Sequence, residues 1–217
     1  MEKLQIAGPM PPFIKPLRDA IRVGSKTVTR RVFKSQPPDT HKLIEIGADT
    51  LTGKYGAEFH DGAHAAKFYP CRYGQPGQYR YMREPIYKGT NGLAYFADDD
   101  RHVRNCDGRP VRWRWKVNTL AQIYLPAEYA RTFVRVTDIQ AQQVQGMTHH
   151  DCLQEGIDTM VLLPDEADPH APESIASAHR QIVDAFSVLW DSINAKRGYS
   201  WASNPWVWVV GFQIQES

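Results

Sequence analysis

Apolar positions recur along this chain in two rhythms, and the rhythms assign most of its elements. Ile175, Ala178, Ile182, Phe186, Leu189, Trp190 and Ile193 fall at helical spacing, with Gly198 just past the last of them. This predicts one long amphipathic helix with its apolar stripe turned to a core. Thr148 followed by Asp151 is a capping-box pattern and Gly156 supplies a stop, so a short helix is expected between them. Another short helix fits Leu17–Val23, ended by Gly24. Alternating or continuously apolar runs predict strands at Val28–Phe33, Tyr79–Glu84, Ala94–Ala97, Val111–Val117, Arg131–Ile139 and Trp206–Ile214. In Val111–Val117 the alternation is strict. Arg112, Arg114 and Lys116 share one face; Trp113, Trp115 and Val117 share the other.

Between these elements the chain is irregular. Pro9, Pro11, Pro12 and Pro16 break the first segment. Residues 35–77 are rich in Gly, Pro and Asp and read as an insertion such as a hairpin, closed by the turn signal Gly74-Gln-Pro-Gly77. Residues 164–174 read as an acidic loop. There is no internal repeat and no strand–helix–strand alternation. The expectation is a single α+β domain over 1–217, built as a small β-barrel with peripheral helices and hairpin or loop insertions.

Composition adds little until charge is mapped. The chain has 217 residues, 42% hydrophobic and 23% charged, which suits one domain with a sizeable core. The net charge is only +2, which does not mark a nucleic-acid binder. Its distribution is uneven. Lys3, Lys15, Arg18, Arg22, Lys26, Arg30, Arg31 and Lys34 face only Glu2 and Asp19 in the first 34 residues, and Arg101, Arg104, Arg109, Arg112, Arg114 and Lys116 form a second cluster. A polyanion is drawn to such regions; two merely solvated basic faces are the alternative.

Cys71, Cys106 and Cys152 contain no CxxC spacing, so no disulfide framework is implied and a reducing cytoplasm fits. The N-terminal residues lack a signal-peptide core, and no apolar run reaches membrane-span length. His149-His150-Asp151-Cys152 is too compact for a tetrahedral site, so it reads as a helix start, and neither metal nor cofactor is expected.

The segment Gly24-Ser-Lys26-Thr-Val-Thr29-Arg30-Arg31 resembles the ASCH signature G-x-K-x-x-E-x-R, with Thr29 where Glu is usual. Cys71-Arg-Tyr-Gly-Gln-Pro-Gly77 and Tyr81-Met-Arg-Glu84 are similar to the C-P-Y-G-x-P-G-D and W-V-R-E blocks of phage and prophage ASCH-like proteins. Ile123-Tyr-Leu-Pro126 with Ala130-Arg131 and Val136-Thr-Asp138 resembles their I-H-M-P…A-S-R…V-T-D stretch. Leu189-Trp-Asp-Ser192 and Trp201-Ala-Ser-Asn-Pro-Trp-Val-Trp208 resemble their C-terminal blocks. The blocks run in family order from Leu17 to Ile214. Gln78, Pro85-Ile86 and Tyr124 depart from the pattern.

The resemblance implies a PUA-like barrel with a cleft for RNA or a nucleobase, in a phage- or prophage-encoded protein acting in a bacterial cytoplasm. One small bacterial relative hydrolyses N4-acetylcytidine with the Lys and Thr of a G-x-K-x-x-T signature, and Lys26 and Thr29 match those positions. A glutamate also contributes there; Glu84 is the candidate here. A threonine hydroxyl needs a base, and a lysine becomes one only when desolvation or nearby cations lower its pKa.

Two classes of function follow. One is recognition of RNA, single-stranded DNA or a modified nucleoside. Gly24 would shape the turn, Arg30, Arg31 and Lys34 would meet phosphate, Arg83 would line the ligand site as a cationic neighbour of Lys26, Arg112 and Arg114 would track a strand, and Tyr73 and Trp201 would stack on bases. The other is an enzyme using Lys26, Thr29 and Glu84, as an amidohydrolase of N4-acylated cytidine compounds or a ribonuclease. A phage accessory module that binds another protein is a third reading.

Overall fold

The computed structural model describes residues 5–62, 66–157 and 172–215. In chain order its first elements are β1 (Ile6–Pro9), α1 (Lys15–Arg22), β2 (Val28–Val32), β3 (Lys42–Ala48), β4 (Tyr55–His60), β5 (Lys67–Pro70) and β6 (Tyr79–Tyr81). They are followed by β7 (Ile86–Lys88), β8 (Ala94–Phe96), β9 (Thr119–Leu120), β10 (Phe133–Gln143), α2 (His149–Gln154), α3 (Pro172–Asn194) and β11 (Trp206–Ile214).

The central sheet has the order β1-β6-β10-β11-β2. Its β1–β6 pair is parallel and the others are antiparallel. A mixed α+β fold is what the pattern of apolar positions called for. The expected barrel does not close: β1 and β2 are the two edges of an open ladder. Other elements cover its faces instead. Val207 and Val209 of β11 pack with Ile182, Phe186 and Trp190 of α3. The alternate residues Trp208 and Val210 pack with Phe59 and Tyr69 of the β3-β4-β5 sheet. Burial on both faces explains why Trp206–Ile214 is apolar almost without interruption.

The segment 35–77 therefore does more than decorate the domain. It holds a three-stranded antiparallel sheet, and Phe59 meets Trp206 edge to face at 4.8 Å. A third sheet, β8-β7-β9, has its own small core around Ile86, Phe96, Val103 and Leu125.

Two expected strands change. Val111–Val117 forms no strand and makes one isolated bridge, Leu93 with Arg112. The Trp113 indole N–H donates to the Val117 carbonyl at 2.9 Å, which folds the segment on itself, and Trp113 and Trp115 pack edge to face on the third core. The strand from Tyr79 stops at Tyr81, and Glu84 turns inward ahead of Pro85, which cannot donate to a ladder.

The short helices hold. Thr148 and Asp151 form the reciprocal capping box, and Gly156 follows α2 at φ +87°. Gly24, at φ +78°, follows α1. The acidic loop at 164–174 falls mostly outside the described residues, and its last three positions belong to α3. No helix among the described residues is long and apolar enough to cross a membrane.

Candidate functional site

The Gly24–Arg31 segment leaves α1, turns, and runs as β2 along the edge of the central sheet. Strand alternation then sorts its residues into different environments. Lys26 is 1% exposed. Its ammonium donates to the Val28 carbonyl at 2.7 Å, to the Glu155 carbonyl at 2.8 Å and to the Glu155 carboxylate. Those three acceptors use all three ammonium hydrogens. Burial pulls the Lys26 pKa below its ordinary value against the opposing charge of Glu155. Arg30, also buried, pairs with Asp151 at 3.1 Å and Glu155 at 3.3 Å. Thr29 is fully buried, and its hydroxyl has no hydrogen-bond partner among the described residues.

Glu84 lies in a different network. It is fully buried between Arg22 and Arg131, with Arg131 Nη2 at 2.7 Å. Asp98 accepts from Arg18 at 2.6 Å and from Arg22 at 3.0 Å, and Asp99 accepts from Arg131 at 2.8 Å. This network ties α1 to the third sheet. The carboxylate on Lys26 is thus that of Glu155, which the sequence did not single out: it stands 129 positions away, and only the packing of α2 on the α1–β2 turn brings it there.

Arg31 has a different fate. It projects over the Phe13 ring at 4.9 Å and lines a cleft of about 680 Å³. Arg72, Tyr73, Arg80, Arg83 and Arg197 line the same cleft. The sequence reading identified Arg31, Tyr73 and Arg83 and passed over Arg72, Arg80 and Arg197. Arg72 adjoins Tyr73 within a quoted family block, and this adjacency was the one available signal. A second cleft, of about 670 Å³, shares Ala7, Arg72, Tyr73 and Arg80 with the first.

Among the described residues, neither cleft is lined by an Asp or Glu. Among the described residues, none of the five arginines makes an ion pair. Uncharged oxygens hold four of them: Arg31 donates to the Arg30 carbonyl at 2.9 Å, Arg80 to Pro9 at 2.8 Å, Arg83 to Ile123 at 3.0 Å, and Arg197 to the Asn194 amide at 3.5 Å. Elsewhere the inward arginines, Arg18, Arg22, Arg30 and Arg131, all meet carboxylates. Burial pulls the Arg31 pKa down, against the opposing charge of Glu155 and Tyr73, and Arg197 adds a smaller push in the same direction as burial. Burial likewise lowers Arg80 and raises the Tyr73 hydroxyl. The cleft is a partly desolvated field of positive charge in which no described arginine is ion-paired, and anions concentrate in such a field.

No family model, curated protein or solved structure matches the chain. Gly24 is exposed and shapes the turn without lining either cleft. Arg112 and Arg114 are exposed on the third sheet, where Arg114 pairs with Glu128 at 2.9 Å. Trp201 packs edge to face on Phe186 at 6.0 Å, against α3. Lys26 and Thr29 line neither cleft.

Proposed function

We propose that this protein binds a single-stranded nucleic acid, with the phosphates held by Arg31, Arg72, Arg80, Arg83 and Arg197. The observation that carries the reading is that these five cations converge on one cleft with no carboxylate among its described lining residues. Arg31 and Arg83 are half-buried and Arg80 is buried, whereas Arg72 and Arg197 are exposed at the rim. Leaving the three desolvated guanidinium groups without an ion-pair partner is costly, and a phosphate backbone offsets the cost with bidentate, charge-assisted hydrogen bonds. An uncharged nucleoside does not, so the charge favours a strand over a free modified nucleoside. The resemblance to ASCH proteins supports the same ligand class and a PUA-like ancestry for the open sheet.

One observation favours an amidohydrolase: the unpartnered hydroxyl of Thr29 lies three residues from a lysine of lowered pKa. Against it, Lys26 has no free lone pair while its ammonium serves three acceptors, and Glu84 is occupied by arginines. Binding is the better-supported reading.

The test is titration of single-stranded RNA and DNA oligonucleotides over a range of salt concentrations. The logarithm of the binding constant should fall with log salt by roughly 0.7 for each phosphate neutralised. Arg31→Ala and Arg197→Ala should each reduce that slope by about one contact's share. Failure of both polymers to bind at low salt would end the proposal.

A further inference from the structure

The second cleft differs from the first in chemistry although the two are continuous through Arg72, Tyr73 and Arg80. Its floor is aromatic: Phe33, Tyr69 and Trp208 are all at least 95% buried, and Phe33 stacks on Trp208 with ring centres 4.1 Å apart. Those rings are engaged with one another. Tyr55 and Tyr73 also line the cleft and are half-buried; they pack against this aromatic core, yet neither forms a stacked or edge-to-face ring pair among the described residues. The parts of both rings that line the cleft are open to a ligand.

The same holds for two amides on the rim. Gln78 uses its oxygen to accept from the Gln75 N–H at 3.2 Å. The Gln78 NH₂ and the Gln75 side-chain amide make no hydrogen bond with described residues. An amide offers both donor and acceptor, which is what reading the edge of a base requires.

Both glutamines sit on a turn whose shape is fixed by Gly74. That residue has φ +110°, and a Cβ there would lie 2.8 Å from the Arg80 guanidinium. The turn also clamps onto the central sheet: Gly77 donates to the Val136 carbonyl and Val136 to the Gln78 carbonyl. The amides are therefore presented from a rigid support beside the arginines.

We infer that this second lobe receives the base of a nucleotide whose phosphate lies among the arginines of the first lobe. The inference rests on the nucleic-acid reading and deepens it. The ligand chemistry is a planar heteroaromatic ring joined to a phosphate through a sugar, with Tyr55 and Tyr73 against the ring and Gln75 and Gln78 at its edge. That unit occurs both as a free nucleotide and within a strand.

Calorimetry should compare nucleoside 5′-monophosphates with ribose 5-phosphate on the intact chain. The nucleotide should bind more tightly by roughly tenfold, the size of one base–aromatic stack. Tyr55→Leu and Gln78→Ala, each verified as folded by its thermal transition, should shrink that ratio. Arg197→Ala should weaken both ligands alike. Equal affinity for nucleotide and ribose phosphate in the wild-type protein overturns the base lobe and leaves the phosphate cleft standing. Loss of binding to every anion, single strands included, overturns both. An octanucleotide series with one abasic position moved along the strand identifies the source. A loss at one position places the pocket's nucleotide within a strand; uniform affinity with tight mononucleotide binding assigns a free nucleotide.

Discussion

At the residue scale, the basic segment divides according to whether each charge finds a partner. Lys26 and Arg30 share Glu155 and are satisfied, whereas Arg31, on the opposite face of the same strand from Arg30, meets only carbonyl oxygens and an aromatic ring. A buried pair that loses one partner typically costs about 3–5 kcal/mol, because the remaining charge stays desolvated. Asp98 allows this to be tested. Burial raises its pKa, but the hydrogen bonds and charges of Arg18 and Arg22 outweigh burial, and the net shift is downward. A carboxyl with a depressed folded-state pKa stabilises the fold above its unfolded value, about 3.9, and that contribution disappears as pH falls through the folded value. Chemical denaturation at a series of pH values should therefore show stability falling below about pH 4. Asp98→Asn should be less stable at neutral pH, by roughly 3 kcal/mol, and should lose less on acidification. An unchanged acid limb in the variant would remove Asp98 from the account.

At the element scale, α2 matters more than its six residues suggest. It is started by the Thr148–Asp151 box and carries the chain to Glu155, the partner of Lys26 and Arg30. The next residue, Gly156, allows the close approach. It adopts φ +87°, and a Cβ there would sit 3.2 Å from both the Ala20 and Lys26 Cβ atoms. Gly156→Ala must therefore strain the backbone and push α2 away from the α1–β2 turn. A loss of about 1–2 kcal/mol is expected in urea denaturation. Binding of single strands should be reduced less than stability, because Arg31 lies on the other face of β2. A variant as stable as the wild type would show that the turn relaxes freely.

At the scale of the whole molecule, only some of the basic residues gather into a field. Arg31 comes from β2, Arg72 from beyond β5, Arg80 from β6, and Arg197 from beyond α3, so the cleft exists only once the central sheet has assembled. The second sequence cluster follows a different course. Arg112 and Arg114 stand on the third sheet, and Arg114 is spent on Glu128 and on the Trp115 and Tyr129 rings. The double substitution Arg112→Ala with Arg114→Ala should leave both oligonucleotide affinity and its salt slope at wild-type values. A reduced slope would extend the strand's path over the third sheet.

Local chemistry alone determined much of this protein. Hydrophobic periodicity located α3, β2 and β11, and side-chain capping located α2, because both signals reside in residues a few positions apart. The resemblance to ASCH proteins drew attention to Arg31, Tyr73 and Arg83, which do line the arginine cleft. The sequence could not show that Lys26 answers to Glu155 rather than Glu84, that Trp113 and Trp115 fold back instead of forming a strand, or that the sheet stays open. It also could not show which arginines remain without a carboxylate. Charge compensation depends on groups brought together across the chain, and a few ångströms of tertiary placement separate a satisfied ion pair from a cation left for a ligand.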